Sequence, residues 1–283
     1  NTWALRSSQP AAVAVKSSKS TSTSVQYRSS MLSLLSYRFK RLNRRVLAKL
    51  ALLAPGLGTL TAAPVPLMTL EYGGREGRTL MIFLPGIDDV AEDFERRGFI
   101  REMRREGVAA DAVAVDAHYG YYAKKSIFER ITDDVIASAH ATGYEEIWLV
   151  GISLGGFGAA SYAARHMSRI SGIVLLAPYL GDKTLIKEIA DAGGVKGWEP
   201  GHVAPSDFQR DLWAWFKDHV SERTPALPIY VGYGMHDMFC HANTLLADVL
   251  PCERVFAIPG RHDWHTWKQI WRMFLVQWAK RHD

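Results

Sequence analysis

Trp148-Leu149-Val150-Gly151-Ile152-Ser153-Leu154-Gly155-Gly156-Phe157-Gly158 is the stretch from which the rest of the chain can be read. The apolar run 147–150 has the pattern of a strand buried on both faces. It ends in Gly-x-Ser-x-Gly, and the chain then turns small and helix-like through Ala159, Ala160, Ala163, Ala164 and Arg165. Strand, tight turn and helix in that order form the setting in which Gly-x-Ser-x-Gly is a nucleophile elbow. The turn holds the serine in a strained conformation, and Gly151 and Gly155 stand where side chains would collide. The Ser153 hydroxyl then sits at a helix N-terminus, where free N–H groups and the helix dipole favour negative charge. The alternative is a glycine-rich strand-to-helix turn with an incidental serine. Partners elsewhere in the chain decide between the two.

Outward from the elbow, apolar runs alternate with helical segments. Residues 68–72 alternate like a strand, and 79–84 form a continuous apolar run closed by Pro85-Gly86-Ile87-Asp88-Asp89. A helix is predicted over 93–106, a strand over 112–115 and a helix over 125–142. After the elbow helix come strands at 171–177, 229–234 and 254–258, then an amphipathic helix over 264–280. Strands that are apolar throughout and separated by helices predict an α/β fold, with a mostly parallel central sheet and helices on both faces. Ligands bind such sheets beyond the carboxyl ends of the strands, so functional residues are expected just after each apolar run.

Three motifs carry a family resemblance: Gly151-Ile152-Ser153-Leu154-Gly155, Leu84-Pro85-Gly86-Ile87 and Gly260-Arg261-His262-Asp263-Trp264. Over residues 68–283 the layout resembles the α/β-hydrolase superfamily, which implies the order nucleophile, acid, histidine, each on a loop after a strand. A serine hydroxyl attacks only when a base takes its proton, and the base must itself be oriented. The loop after the last strand offers His262, directly beyond it, and His265, expected in the first turn of the final helix; His262 is the candidate. The acid is expected after strand 229–233, where the superfamily implies Asp237. Asp263 is a sequence neighbour of His262 and neighbouring side chains rarely face each other; Asp116 is a lesser rival, and His236 reads as a loop residue.

An oxyanion needs preorganised N–H donors, and these are expected from Leu154 and from Ile87. Many superfamily members carry His-Gly where this chain has Pro85-Gly86, which keeps the backbone role only. Asp88 and Asp89 read as solvent-facing acids capping the next helix, or as contacts for a polar or cationic substrate. Residues 179–227 correspond to the superfamily's cap, here small and rich in aromatics (Trp198, Trp213, Trp215, Phe216). Aromatics at helical spacing are more often packing than ligand platforms. His118, Tyr119 and Trp215 are nonetheless expected to face the substrate. These readings predict a serine hydrolase of carboxylic esters, with thioesterase or acyltransferase chemistry on the same triad as the alternative. A non-catalytic binding module on this fold is the more distant one. The substrate is expected to be a small-molecule ester or thioester. With no phosphate loop, dinucleotide fingerprint or metal cluster, neither cofactor nor metal is expected.

The 283 residues carry a net charge of +5, unevenly placed. Residues 1–64 hold ten Lys or Arg and no Asp or Glu, which leaves 24 basic and 29 acidic residues beyond them. The expected catalytic domain, 65–283, is therefore mildly acidic, and nucleic acid is not its expected partner. The leader is Ser- and Thr-rich to residue 30. A basic segment (Tyr37 to Arg45), a short apolar one (Val46 to Ala54) and small residues follow. This resembles an export signal, although Lys49 and Pro55-Gly56 interrupt it. The alternative is a basic amphipathic helix on a membrane surface or on the domain. Exported, membrane-associated and cytoplasmic locations all remain open. Cys240 and Cys252 are too few for a disulfide framework, and are either buried thiols or one bridge.

Overall fold

The computed structural model of the chain describes residues 63, 65–73, 77–221 and 227–282. The expectations for the leader thus fall, save for residue 63, outside the described residues, as does 222–226 of the cap-like segment. The strands are β1 (Thr69–Tyr72), β2 (Thr79–Leu84), β3 (Ala110–Val115), β4 (Glu146–Ile152), β5 (Gly172–Leu176), β6 (Ile229–Gly234) and β7 (Val255–Ile258). They form one sheet in the order β1-β3-β2-β4-β5-β6-β7. All neighbours are parallel except β1, which runs antiparallel along the edge of β3, with Thr69 opposite Val115. β2, β5 and β6 are buried at every residue, as continuous apolar runs with helices over both faces require.

The helices are α1 (Ala91–Arg96), α2 (Phe99–Arg105), α3 (Tyr119–Ala123), α4 (Ile127–Ile131), α5 (Ala137–Ala141), α6 (Leu154–His166), α7 (Lys183–Asp191), α8 (Phe208–Ser221), α9 (Cys240–Ala247) and α10 (Trp264–His282). Two differ from expectation. The helix predicted over 93–106 is broken into α1 and α2 at Gly98, whose φ of 89° lies in the left-handed region where a helix stops. The helix predicted over 125–142 begins at Ile127 and contains a π turn, Thr132–Ile136, between α4 and α5. There the Thr132 hydroxyl donates back to the Phe128 carbonyl at 2.9 Å and meets the Tyr162 hydroxyl at 2.9 Å, a competitor to the regular ladder.

α6 packs on β4, β5 and β2, while α10 packs on β5, β6, β7 and α2. Beneath α10 lies an aromatic seam: Trp271 stacks on Phe99 and meets Phe83 edge-on, and its indole N–H donates to the Phe99 carbonyl at 3.1 Å. Among the described residues no helix is long and apolar enough to cross a membrane. Both cysteines are free thiols, Cys240 half-buried and Cys252 exposed.

Candidate active site

β4 delivers Ser153 and α6 begins at the next residue, so the serine occupies the turn itself. Its φ of 53° and ψ of −113° form a strained combination for a residue with a side chain. The strain is held by close packing and hydrogen bonds. A Cβ on Gly151 would lie 2.2 Å from the Gly155 carbonyl oxygen, and one on Gly155 would lie 2.2 Å from that of Leu84. Only glycine lets the elbow press against the end of β2. The Ser153 N–H donates to the Leu176 carbonyl at 3.0 Å, and its own carbonyl accepts from Tyr179 at 3.0 Å, fastening the turn to the end of β5.

The loop after β6 supplies Asp237, its N–H turned back to the Gly234 carbonyl at 3.0 Å. The side chain is fully buried; one oxygen accepts from the Phe239 N–H at 2.8 Å, and the other meets His262 Nδ1 at 2.8 Å. The loop after β7 carries His262. It is bound to the acid loop by N–H groups of Met235 and His236, which donate to the Ile258 and Gly260 carbonyls at 2.8 and 2.9 Å. His262 Nε2 lies 3.1 Å from Ser153 Oγ. A carboxylate only accepts, so Nδ1 carries the proton and the Nε2 lone pair faces the hydroxyl. The rings of Phe239 and Trp267 meet the imidazole edge-on at 5.1 and 4.9 Å and fix its plane.

The structure thus brings Ser153, Asp237 and His262 into one hydrogen-bonded chain. Asp263 instead caps α10, accepting the Thr266 N–H at 2.8 Å. Burial alone would raise its pKa, but the Thr266 and His265 donors outweigh burial and lower it. His265 lies exposed in the first turn of α10 beside Gln269. Asp116 is buried at the end of β3, its N–H donating to the Met68 carbonyl.

Leu154 is the first residue of the 13-residue α6, so its N–H has no carbonyl one turn earlier to bond. Ile87 lies across from it on the loop after β2, and both Ile87 and Ser153 line a cavity of about 530 Å³. His118, Tyr119 and Trp215, expected at the substrate, are not among its walls. His118 is buried and caps α3, its Nδ1 accepting the Gly120 N–H at 3.1 Å, and its ring packs on Tyr121. Trp215 packs against Phe216 and stacks on His219 within α8. Short-range bonds and helix packing engage His118 and Trp215, two of the residues that the aromatic pattern suggested for a ligand. The walls are instead Asp88, Asp89, Arg97, Trp264 and Trp267, beside His262 and His265. Asp89 departs from the capping reading: Val90 opens α1, and its N–H donates to Asp93 at 2.9 Å. The signal that could have found Trp264 and Trp267 is their position, three apart in the turn directly after the histidine loop.

The family described as the alpha/beta hydrolase fold matches residues 126–196, a segment that includes the elbow. No curated protein sequence matches the chain. Among solved structures, the chain is similar to an S-formylglutathione hydrolase of Staphylococcus aureus, with a TM-score of 0.53, 14% identity, and 75% of this chain and 90% of that one covered. It is also similar to a monoacylglycerol lipase of Paleococcus ferrophilus, with a TM-score of 0.52, 15% identity, and 77% and 99% covered. A ferulic acid esterase aligns with a TM-score of 0.51 and 14% identity, over 74% and 91% of the two chains. At these identities the likeness is one of fold.

Proposed function

We propose that the protein is a serine hydrolase of the α/β-hydrolase superfamily, cleaving a carboxylic ester through an acyl-enzyme. The observation that carries this reading is the chain Ser153 Oγ, His262 Nε2, His262 Nδ1, Asp237, with steps of 3.1 and 2.8 Å, on a serine held at φ 53°. Ser153 Oγ attacks the ester carbonyl carbon while His262 Nε2 takes its proton. Buried Asp237 holds the imidazole in the required tautomer and stabilises the imidazolium. The carbonyl oxygen becomes an oxyanion and is received by the N–H groups of Ile87 and Leu154, with the N-terminus of α6 adding its dipole. His262 then gives its proton to the departing alcohol, which leaves the acyl group on Ser153. Water, activated by the same imidazole, releases the acid.

The cavity walls favour an oxyester with a small polar alcohol over a thioester of a large anionic carrier. Asp88, Asp89 and Asp263 surround a single arginine, Arg97, and such a lining repels several phosphates. p-Nitrophenyl acetate is therefore expected to be turned over faster than acetyl-CoA. Ser153→Ala is expected to lose at least about a thousandfold in ester turnover, together with all labelling by a fluorophosphonate probe. Full activity in Ser153→Ala sinks the reading.

A further inference from the structure

Two loops of the site are tied to each other by one side-chain bond that the proposed reaction does not use. Trp264 Nε1 donates to Asp89 Oδ1 at 3.1 Å, across 175 positions of sequence. Asp89 stands two residues after Ile87, and its N–H donates back to the Gly86 carbonyl at 3.2 Å, closing a turn around Ile87. Trp264 stands two residues after His262 and opens α10. Its ring is fixed edge-on by Phe94, Phe99 and Trp267, each at 5.4 Å, with the Arg97 guanidinium 5.9 Å over it. The Asp89 carboxylate is tucked under its own turn: a Cβ on Gly86 would lie 2.7 Å from Asp89 Oδ2 and 3.6 Å from Ser153 Cβ.

A carboxylate this near the nucleophile works against an oxyanion by simple repulsion, and α1 takes its cap bond from Asp93 instead. What Asp89 does provide is an acceptor that a rigidly packed indole reaches. We propose that Asp89 is a positioning residue: through Trp264 it clamps the oxyanion loop to the histidine loop, so that the Ile87 N–H and His262 Nε2 keep one geometry about Ser153. The proposal rests on the serine-hydrolase reading. A loosened clamp displaces a transition-state donor, while p-nitrophenyl acetate, small and uncharged, draws little binding from the two wall side chains that form the clamp, so the loss falls on kcat more than on KM.

The test measures kcat and KM with p-nitrophenyl acetate, and the rate of fluorophosphonate labelling, for Asp89→Ala, Asp89→Asn, Trp264→Phe and the Asp89→Ala/Trp264→Phe double variant. Asp89→Ala is expected to lower kcat about 10- to 100-fold with KM little changed, and to slow labelling in parallel. Asp89→Asn keeps an amide oxygen for the indole N–H and sheds the charge, so it is expected within about threefold of the parent enzyme or above it. Trp264→Phe should match Asp89→Ala, and the double variant should be no slower than either single one, as for two halves of one contact. Asp89→Ala with undiminished kcat overturns the clamp, as does Asp89→Asn as slow as Asp89→Ala. If Trp264→Phe loses stability, the Asp89 pair still decides. An active Ser153→Ala would mean that the serine-hydrolase reading had failed. An inactive Ser153→Ala beside an unimpaired Asp89→Ala would mean that only the clamp had.

Discussion

Two regions of this molecule are rich in aromatic side chains, and they use them differently. In the segment between β5 and β6, Trp198, Trp213 and Phe216 are buried, and both indole N–H groups end inside the segment: Trp213 on the Leu180 carbonyl at 2.6 Å, Trp198 on Glu188 at 2.8 Å. Arg210 crosses from α8 to Glu188 with two bonds of 2.7 Å, closing a frame between α7 and α8. In the turn after β7, Trp267 is buried and Trp264 half-buried, and each faces the cavity beside Ser153. An aromatic ring therefore says little about function by type. What separates the two sets is that Trp264 and Trp267 follow directly on the loop that carries His262, whereas the rings between β5 and β6 close on their own segment.

That contrast can be broken by experiment. The strongest blow should come from the polar end of the histidine loop's partnership: Asp237→Asn keeps the shape but offers His262 a partner that favours the wrong tautomer. Ester kcat is expected to fall by roughly 10⁴-fold without loss of fold, measured by steady-state kinetics beside a thermal melt. Next in size, Trp213→Ala opens a cavity in a fully buried site and is expected to cost about 3–5 kcal/mol in a denaturant titration. kcat per folded molecule should stay unchanged. If Trp213→Ala instead lowers kcat at full stability, the segment belongs to the site and the comparison fails. Trp215→Ala, half-buried on α8, should alter KM no more than about twofold by the same reasoning.

The smallest effect concerns the Arg210–Glu188 frame. Hydrogen bonds from Arg210, then from Trp198, hold Glu188 at about 2, below its ordinary 4.5. Because the folded value is the lower one, the stabilisation is present above about 4.5 and is lost as the pH falls toward 2. Glu188→Gln is therefore expected to be less stable than the parent at neutral pH. The difference should be no more than about 1 kcal/mol, since Glu188 is 41% exposed and screened. It should close as the pH falls through that window. A gap that persists at pH 2 would mean that shape, not charge, holds the frame.

Much of this site was legible because each residue is tied to a strand end in its own stretch of sequence. Ser153 follows β4, Asp237 follows β6 and His262 follows β7, so apolar periodicity marked the three loops, and the resemblance to the α/β-hydrolase superfamily picked the acid within its loop. His118, Tyr119 and Trp215 do not line the cavity: the first two were drawn from the same strand-end logic, Trp215 from the aromatic spacing of α8. His118 also follows a strand, but it is buried and its Nδ1 accepts the Gly120 N–H two residues on, so the ring serves as the cap of its own helix. The break at Gly98 and the π turn at Thr132 were missed because a glycine's φ and a threonine's back-bond depend on neighbours that periodicity ignores.

By itself the sequence determined that buried parallel strands alternate with helices, and that Ser153 stands on a tight glycine turn at a strand end. Those are local properties, fixed by side-chain period and by the chemistry of a tight glycine turn. The strand order β1-β3-β2-β4, the reversed direction of β1, the Asp89–Trp264 bond and the cavity walls were decided only by the tertiary structure. Each joins groups far apart along the chain, and such a pairing is selected by the packing of the whole sheet and its helices, which no single window of sequence contains.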